Sequence, residues 1–195
     1  MERKVDNIRY ERKFNVIHQN FHAIEQVIKL HPAGFTEIFP ERQVNNIYFD
    51  SYNYQAFNDN VDGISKRVKL RARWYGELFG VIKNPILEYK IKNNLAGTKK
   101  LYPIPAFNFD ENFNFEELKN FFKNSENPES VKQTFCSLNP TLLNKYTRKY
   151  YISANGKYRL TLDRDLYYYK IENHLNKFLK YIKEGENSVI ELKYD

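Results

Sequence analysis

The sequence predicts an α+β protein in which antiparallel strands form a β-barrel tunnel with covering helices. Three features carry that expectation. Residues 66–76, KRVKLRARWYG, alternate with a period of two, placing Arg67, Lys69, Arg71, Arg73 and Tyr75 on one side and Val68, Leu70, Ala72 and Trp74 on the other. That is the pattern of a strand with one apolar face and one cationic face. A Glu-x-Lys pair recurs on the polar faces of other strands, at Glu11/Lys13, Glu88/Lys90 and Glu191/Lys193. Segments between the strands have helical apolar spacing and can cover the apolar strand faces. The charged faces then point inward and line a tunnel. Antiparallel strands in this number tend to close, because open edges invite aggregation.

Taken in order, residues 8–17 read as a first strand with Arg9, Glu11, Lys13 and Asn15 on one side and Tyr10, Phe14 and Val16 on the other. Residues 19–30 switch to helical spacing through Phe21, Ile24, Val27, Ile28 and Leu30, and Pro32 and Gly34 end that helix. Residues 42–50 form a strand in which Asn46, Tyr48 and Asp50 alternate with Asn45, Ile47 and Phe49. Residues 51–60 form a short helix, closed by the Asp62-Gly63 turn. After the cationic strand, 77–85 read as a loop, 86–94 as a strand, Ala96-Gly97 as a turn and 98–104 as a short strand. Phe115, Leu118, Phe121 and Phe122 predict an amphipathic helix, and a second begins near Asn127-Pro128 and reaches Leu138. Asn155-Gly156 is a hairpin signal joining strands 145–153 and 158–166. Residues 167–182 fit either strand or helix, and SVIELKYD ends the sequence as a strand. No internal repeat or linker is evident, so 1–195 reads as a single domain.

Composition narrows the class of partner. Lys and Arg number 31 against 24 Asp and Glu, for a net charge of +7. Such a balance points to an anionic partner: phosphates, nucleic acid or a membrane surface. Cys136 is the only cysteine, which excludes a disulfide framework within the chain and points to a reducing, cytoplasmic setting. The first residues, MERKVDNIRYERK, hold no apolar signal core. No apolar run reaches the ~18 residues of a spanning helix. Direct membrane insertion is therefore not expected, and work at a membrane would need association with a membrane-anchored partner.

Side chains two apart on a strand sit about 6.8 Å apart, so the cations of 66–76 repel one another. They form either a solvated charged face or a ladder for a multiply charged anion. A tunnel lined with cations is sensible when it holds water and a polyanion. Arg offers a planar fork matched to phosphate oxygens, and Lys a compact charge. Carboxylates among them either neutralise the cations or hold a divalent metal that bridges phosphate oxygens. A basic nucleic-acid surface is the rival reading, and it requires the Arg71/Arg73 face to point outward.

The pieces YERKF (10–14), NIYFDS (46–51), KLRARWYG (69–76), ILEYKIK (86–92), KYTRKYY (145–151), YRLTLD (158–163) and VIELKY (189–194) together resemble the VTC domain. This is the catalytic domain of the vacuolar transporter chaperone polyphosphate polymerase, within the triphosphate tunnel metalloenzymes, also called CYTH-like proteins. The resemblance implies an antiparallel barrel around a tunnel for triphosphate or polyphosphate. It implies phosphate contacts from Lys13, Arg71, Arg73, Lys90, Arg148 and Arg159, with Tyr146 beside them and Lys69 and Lys193 on the same faces. It implies Glu191 as a ligand for Mn²⁺ or Mg²⁺. Glu11 resembles the first-strand glutamates of the triphosphatase branch and is a second metal candidate; Glu88 is read as a ligand or a charge neutraliser. The family's polymerase domains usually continue past the last strand into a helix with a Ser-Lys-aromatic motif.

The function implied is phosphoryl transfer from ATP or another triphosphate, with no nucleic acid partner. A polyphosphate end as acceptor makes a polymerase and water makes a triphosphatase; a non-catalytic polyphosphate-binding module is a third reading. Such transfers rest on positioning and charge stabilisation, in keeping with a sequence that shows no nucleophile motif. Elsewhere the plainer expectations hold. His18 and His22 lack the zinc-binding H-E-x-x-H pattern. Cys136 is a small buried hydrophobe. Trp74 packs outward against a covering helix. Asp163 orients Arg159 or caps a strand end, Asp50 is a turn residue or an arginine partner, and Lys66, Lys99 and Lys100 are solvated.

Overall fold

Period-two alternation builds most of the chain. The computed structural model describes residues 10–93 and 96–194; Arg9, the start of the predicted first strand and Asp195 lie outside them. The elements run β1 (Tyr10–Val16), α1 (Phe21–Leu30), β2 (Thr36–Asp50), α2 (Gln55–Val61), β3 (Lys66–Tyr75), β4 (Gly80–Ile82), β5 (Ile86–Asn93), β6 (Ala96–Pro103), β7 (Phe107–Phe109), α3 (Phe115–Lys123), α4 (Glu129–Cys136), β8 (Asn139–Ile152), β9 (Tyr158–Tyr169), β10 (Tyr181–Lys183) and β11 (Ser188–Tyr194). The main sheet has the order β1-β11-β9-β8-β2-β3-β5-β6, with β10 beside β9, and every pairing is antiparallel.

This ladder does not close into a ring among the described residues; its ends are β1 and β6. It is nevertheless strongly curled. β1 and β5 stand six strands apart in the order, about 29 Å across a flat sheet at ~4.8 Å per strand. Yet Lys90 Nζ on β5 lies 3.5 Å from Glu11 Oε2 on β1. Only a sheet wrapped around an interior brings those side chains together, so the Lys90–Glu11 ion pair rather than a backbone ladder spans the gap among the described residues.

The outer face of the curl carries the core. Ile47, Phe49, Leu70, Ala72, Trp74 and Leu87 are buried there with Phe115, Leu118 and Phe122 of α3 and Phe135 of α4. Ile24 and Ile28 of α1 cover Tyr151, Leu160 and Leu162. Asn20 and Asn114 cap α1 and α3, each side-chain oxygen accepting from a backbone N–H of the first turn. The predicted covering role of the helices is what the molecule uses.

Several boundaries differ from expectation. β2 begins at Thr36 and accommodates Pro40 with irregular register against β8. The loop 77–85 contains β4, which pairs with β7. Ala96 and Gly97 belong to β6 instead of forming a turn. Residues 167–182 resolve into the end of β9, a loop and β10. Asp165 has φ 52° beside a register shift between β8 and β9, which interrupts the strict alternation of β9. Trp74 packs outward as expected, but edge-on to Phe107 and Phe109, so the β4–β7 pair meets it instead of a helix.

Candidate functional site: the cation-lined channel

Antiparallel partners project to the same side of a sheet, so register alone assigns the inner face. Lys13 pairs with Glu191, and Glu11 with Lys193. Lys193 pairs in turn with Arg159, Arg148 with Asp163, Arg73 with Asn46 and Arg71 with Tyr48. Arg71 also pairs with Glu88, and Lys69 with Lys90. The candidate residues from β1, β3, β5, β8, β9 and β11 therefore share one inner surface.

One cluster centres on Glu88, which is buried. Its carboxylate accepts from Arg71 Nε at 2.6 Å and from Lys99 Nζ at 2.9 Å, with Arg73 Nη1 at 3.6 Å. Burial alone would raise its pKa, but Arg71, Arg73 and Lys99 hold it down to about 2. Glu88 is thus a fixed counter-charge, with its oxygens taken. Lys99, expected to be solvated, is its third partner. Arg73 is pinned further: Nε donates to Asn46 Oδ1 at 2.7 Å and Nη2 to the Tyr146 hydroxyl at 3.1 Å. Arg71 Nη1 donates to the Tyr48 hydroxyl at 3.0 Å. The side chain of Arg73 is only 10% exposed, so the Arg71/Arg73 face points inward rather than forming an open basic surface.

The second cluster joins the ends of the chain. Glu191 is buried, with Lys13 Nζ 3.3 Å from Oε2 and Lys193 Nζ 2.5 Å from Oε1. The Lys193 ammonium therefore occupies Oε1, and Lys13 approaches Oε2. Burial pushes the Glu191 carboxyl up, but Lys193, Lys13 and Arg148 outweigh it and hold it near 2. Glu11 lies 3.5–3.8 Å from the ammonium groups of Lys90, Lys13 and Lys193. The Lys13 ammonium is pulled down by burial, yet Glu191 and Glu11 overcome this and raise it. Lys90 goes the other way: burial lowers it, and Lys13 and Lys193 add to that against the pull of Glu11. This is a charged pocket balanced by its own lysines.

Arg148 is held by Asp163 through two parallel bonds, Nε to Oδ1 at 2.6 Å and Nη2 to Oδ2 at 2.7 Å. Its guanidinium carbon lies 5.0 Å from the Tyr146 ring centre. Asp163 therefore positions Arg148, not Arg159 as expected. Arg159 is exposed at the start of β9, on the inner side by register, and no ion pair holds it among the described residues. Lys69 donates to Asn60 Oδ1 at 2.7 Å, and burial with the nearby Arg67, Lys90 and Lys13 lowers its pKa.

Sequence reading missed Lys99, Tyr48 and Arg42. Arg42 pairs with Arg148 in register and is another half-buried inner cation, its guanidinium 4.8 Å from the Phe39 ring centre and 5.7 Å from those of Tyr75 and Tyr150. The row Arg42, Val44, Asn46, Tyr48 already shows the parity in the sequence. Elsewhere, Asp50 is the partner of α2's backbone: it accepts from the N–H groups of Ser51, Ala56 and Phe57. His22 Nδ1 lies 3.7 Å from Glu25 Oε2.

Among the described residues no group of three or more His, Cys, Asp or Glu converges as a complete metal cage, and no helix is long and apolar enough to cross a membrane. Of the family descriptions compared, that of the VTC domain matches residues 8–195. No curated protein matches. Similar solved structures include a Hippeastrum protein described as an adenylyl cyclase with dominant triphosphatase activity (15% identity, 95% of this chain and 79% of that one, TM-score 0.49). Another is a Vibrio parahaemolyticus protein assigned as an adenylate cyclase (12% identity, 95% and 76%, TM-score 0.48). A third is a Pyrococcus horikoshii protein (12% identity, 96% and 77%, TM-score 0.48).

Proposed function

The chain belongs to the VTC domain family, and from that premise we propose that it catalyses metal-dependent phosphoryl transfer at a triphosphate or polyphosphate held in the channel. In the polymerase form of the reaction, the bond between the γ-phosphorus of ATP and its bridging oxygen breaks. A terminal oxygen of a polyphosphate chain forms the new bond, and ADP leaves. The observation that supports this reading is convergence: Lys13, Lys69, Arg71, Arg73, Lys90, Arg148 and Lys193 from five strands share one inner surface. So many cations facing an interior need an anion of matching charge and length.

Each group then has a role. Arg71, Arg73 and Arg148 are locked by Glu88, Asn46 and Asp163, so their forks are pre-aimed and lose little freedom on gripping phosphate oxygens. Lys13 has its side chain 58% exposed, and its ammonium can exchange Glu191 for phosphate. Lys90, Lys69, Lys193 and Arg159 extend the charge along the channel, and the Tyr146 hydroxyl stands beside Arg73. Charge developing on the leaving oxygen meets these fixed cations, with no reorganisation at the moment of reaction.

The residues present also fit a divalent ion. Glu191 is a buried carboxylate whose close partners are the exchangeable ammonium groups of Lys13 and Lys193, and Glu11 shares both lysines with it. One or two carboxylates completed by phosphate oxygens and water is the usual set for Mg²⁺, and Mn²⁺ takes the same hard donors. Bound there, the ion would supply Lewis-acid neutralisation of phosphate charge.

Water as acceptor is the second reading, favoured by one feature: Glu11 stands in the channel on β1, as the first-strand glutamates of the triphosphatase branch do. The test of the main reading is Glu191→Gln, assayed by γ-phosphate release and transfer from ATP with Mn²⁺ or Mg²⁺, with and without a polyphosphate primer. Turnover should collapse while metal-free tripolyphosphate binding survives; Arg73→Ala should weaken binding first. Wild-type protein that binds but never turns over would make this a binding module.

A further inference from the structure

The segment between β9 and β10 takes no part in the channel. From Glu172 to Glu184 the sequence holds no other acidic residue, while Lys177, Lys180 and Lys183 fall in that stretch. All three lysines are exposed, and none has an ion pair among the described residues. Set among them, Leu175 and Leu179 are each 78% exposed. The leucines are held out by neighbours that turn in. Phe178 packs with its ring 5.1 Å from that of Phe79 and 5.2 Å from that of Phe109. Asn176 is buried; its Oδ1 accepts from the Glu172 N–H and its Nδ2 donates to the Glu172 carbonyl, both at 2.8 Å. Leu175 and Phe178 have φ of 57° and 50°, a left-handed backbone that residues with a Cβ rarely adopt. The chain is thus fixed in a form that displays two leucines to solvent.

A basic aromatic cluster continues from it. Tyr181 lies 5.6 Å from the Tyr167 ring and 5.5 Å from that of Tyr169. The ammonium groups of Lys145 and Lys183 stand 4.7 Å and 5.5 Å from the Tyr167 ring centre. Register puts Lys145, Tyr167 and Lys183 on one side, opposite the inner row of Tyr146 and Arg148. Exposed leucines among unpaired lysines, with tyrosines alongside, match the chemistry of a bilayer surface. Leucines enter the acyl boundary, tyrosines sit at headgroup level and lysines meet anionic lipids. Nucleic acid fits less well, because bases need free aromatic faces, whereas these tyrosines pack on one another and on lysines, and the outermost groups are aliphatic. We infer that residues 174–183 dock this domain on an anionic lipid bilayer, with Leu175 and Leu179 dipping into the headgroup boundary and Lys177, Lys180 and Lys183 against the lipid charges. The contact is peripheral and needs no spanning helix. It uses the outer face and is independent of the phosphoryl-transfer reading.

The experiment is flotation of the protein with vesicles of phosphatidylcholine alone, or with about a third phosphatidylserine. Wild type should bind the anionic vesicles, less so as salt is raised. Leu175→Asn with Leu179→Asn should lower that binding at least about tenfold, and Lys177→Gln with Lys180→Gln about thirtyfold. All four side chains are exposed and Asn tolerates the left-handed backbone, so these variants should melt with wild type. Val27→Gln with Leu30→Gln, an equally exposed apolar pair on α1, should leave vesicle binding unchanged. Wild type that stays off anionic vesicles overturns the inference. Equal binding to both vesicle types does so too, as does a loss in the lysine variant with none in the leucine variant, which is plain charge attraction. Tighter binding to single-stranded DNA, sensitive to the lysines and not to the leucines, would reassign the surface to nucleic acid.

Discussion

Replacing Glu88 by Gln removes one charge and keeps almost the same shape. Three cations lose their common partner: Arg71 at 2.6 Å, Lys99 at 2.9 Å and Arg73 at 3.6 Å. At an effective dielectric of ~20, each contact carries about 5 kcal/mol of gross attraction. Most of that offsets the cost of taking the groups out of water. The net loss on breaking a buried pair is about 3–5 kcal/mol, and water reaching Lys99 and Arg71 pulls this toward the lower end. For a chain of this size, each kcal/mol lowers Tm by about 2–4 °C, so metal-free Glu88→Gln should melt roughly 10 °C below wild type. Tripolyphosphate can then supply the missing negative charge. Its stabilising shift should be larger in the variant than in wild type, and should shrink with added salt. The assay is thermal unfolding at low salt across a tripolyphosphate series. An unchanged Tm, or a smaller ligand-induced shift in Glu88→Gln, would refute the view that Glu88 stands in for part of the ligand's charge.

Three further outcomes follow from the same geometry. Glu88 and Glu191 both titrate near 2 when folded and near 4.3 when unfolded, so their stabilisation is complete above the unfolded value and disappears as pH falls through the folded one. Metal-free protein should keep a level stability toward neutral pH and lose it between about pH 4.5 and 2; denaturant titrations that find no loss there would contradict the ion-pair assignments. Asp163→Asn should release the two-point grip on Arg148, cost about 3 kcal/mol and weaken tripolyphosphate binding. Glu25→Gln, which disturbs the Lys149 and Tyr151 contacts on the outer face, should lower stability without touching that binding.

Much of the tunnel was legible because β-structure writes its faces into the sequence every second residue. Spacing alone put Arg71 with Arg73 on one face of their strand and Glu88 with Lys90 on the polar face of another, and Asn155-Gly156 located a hairpin. What stayed hidden depends on register and on distant partners. Lys99 reads as an ordinary surface lysine until β6 pairs with β5 and brings it to Glu88. Asp163 could serve any neighbouring arginine until β8 and β9 align it with Arg148. The β4–β7 pair is built from three-residue strands, too short for alternation to register. The open side of the curl is likewise invisible locally, since it is bridged by side chains of β1 and β5. A cavity beside Lys69 is assembled from the 51–60 segment, β2, β3 and β8, and no spacing within one element announces it.

The central claim is that the inner surface, not any outer patch, receives a polyphosphate chain. Its most direct test is a crystal structure of the protein with tripolyphosphate and Mn²⁺. The expected result is a phosphate chain inside the curl, its oxygens on Lys13, Arg71, Arg73 and Arg148, with the metal on Glu191. Tripolyphosphate found only on outward-facing lysines, with the Glu88 and Glu191 ion pairs unchanged and the interior holding water alone, would contradict it.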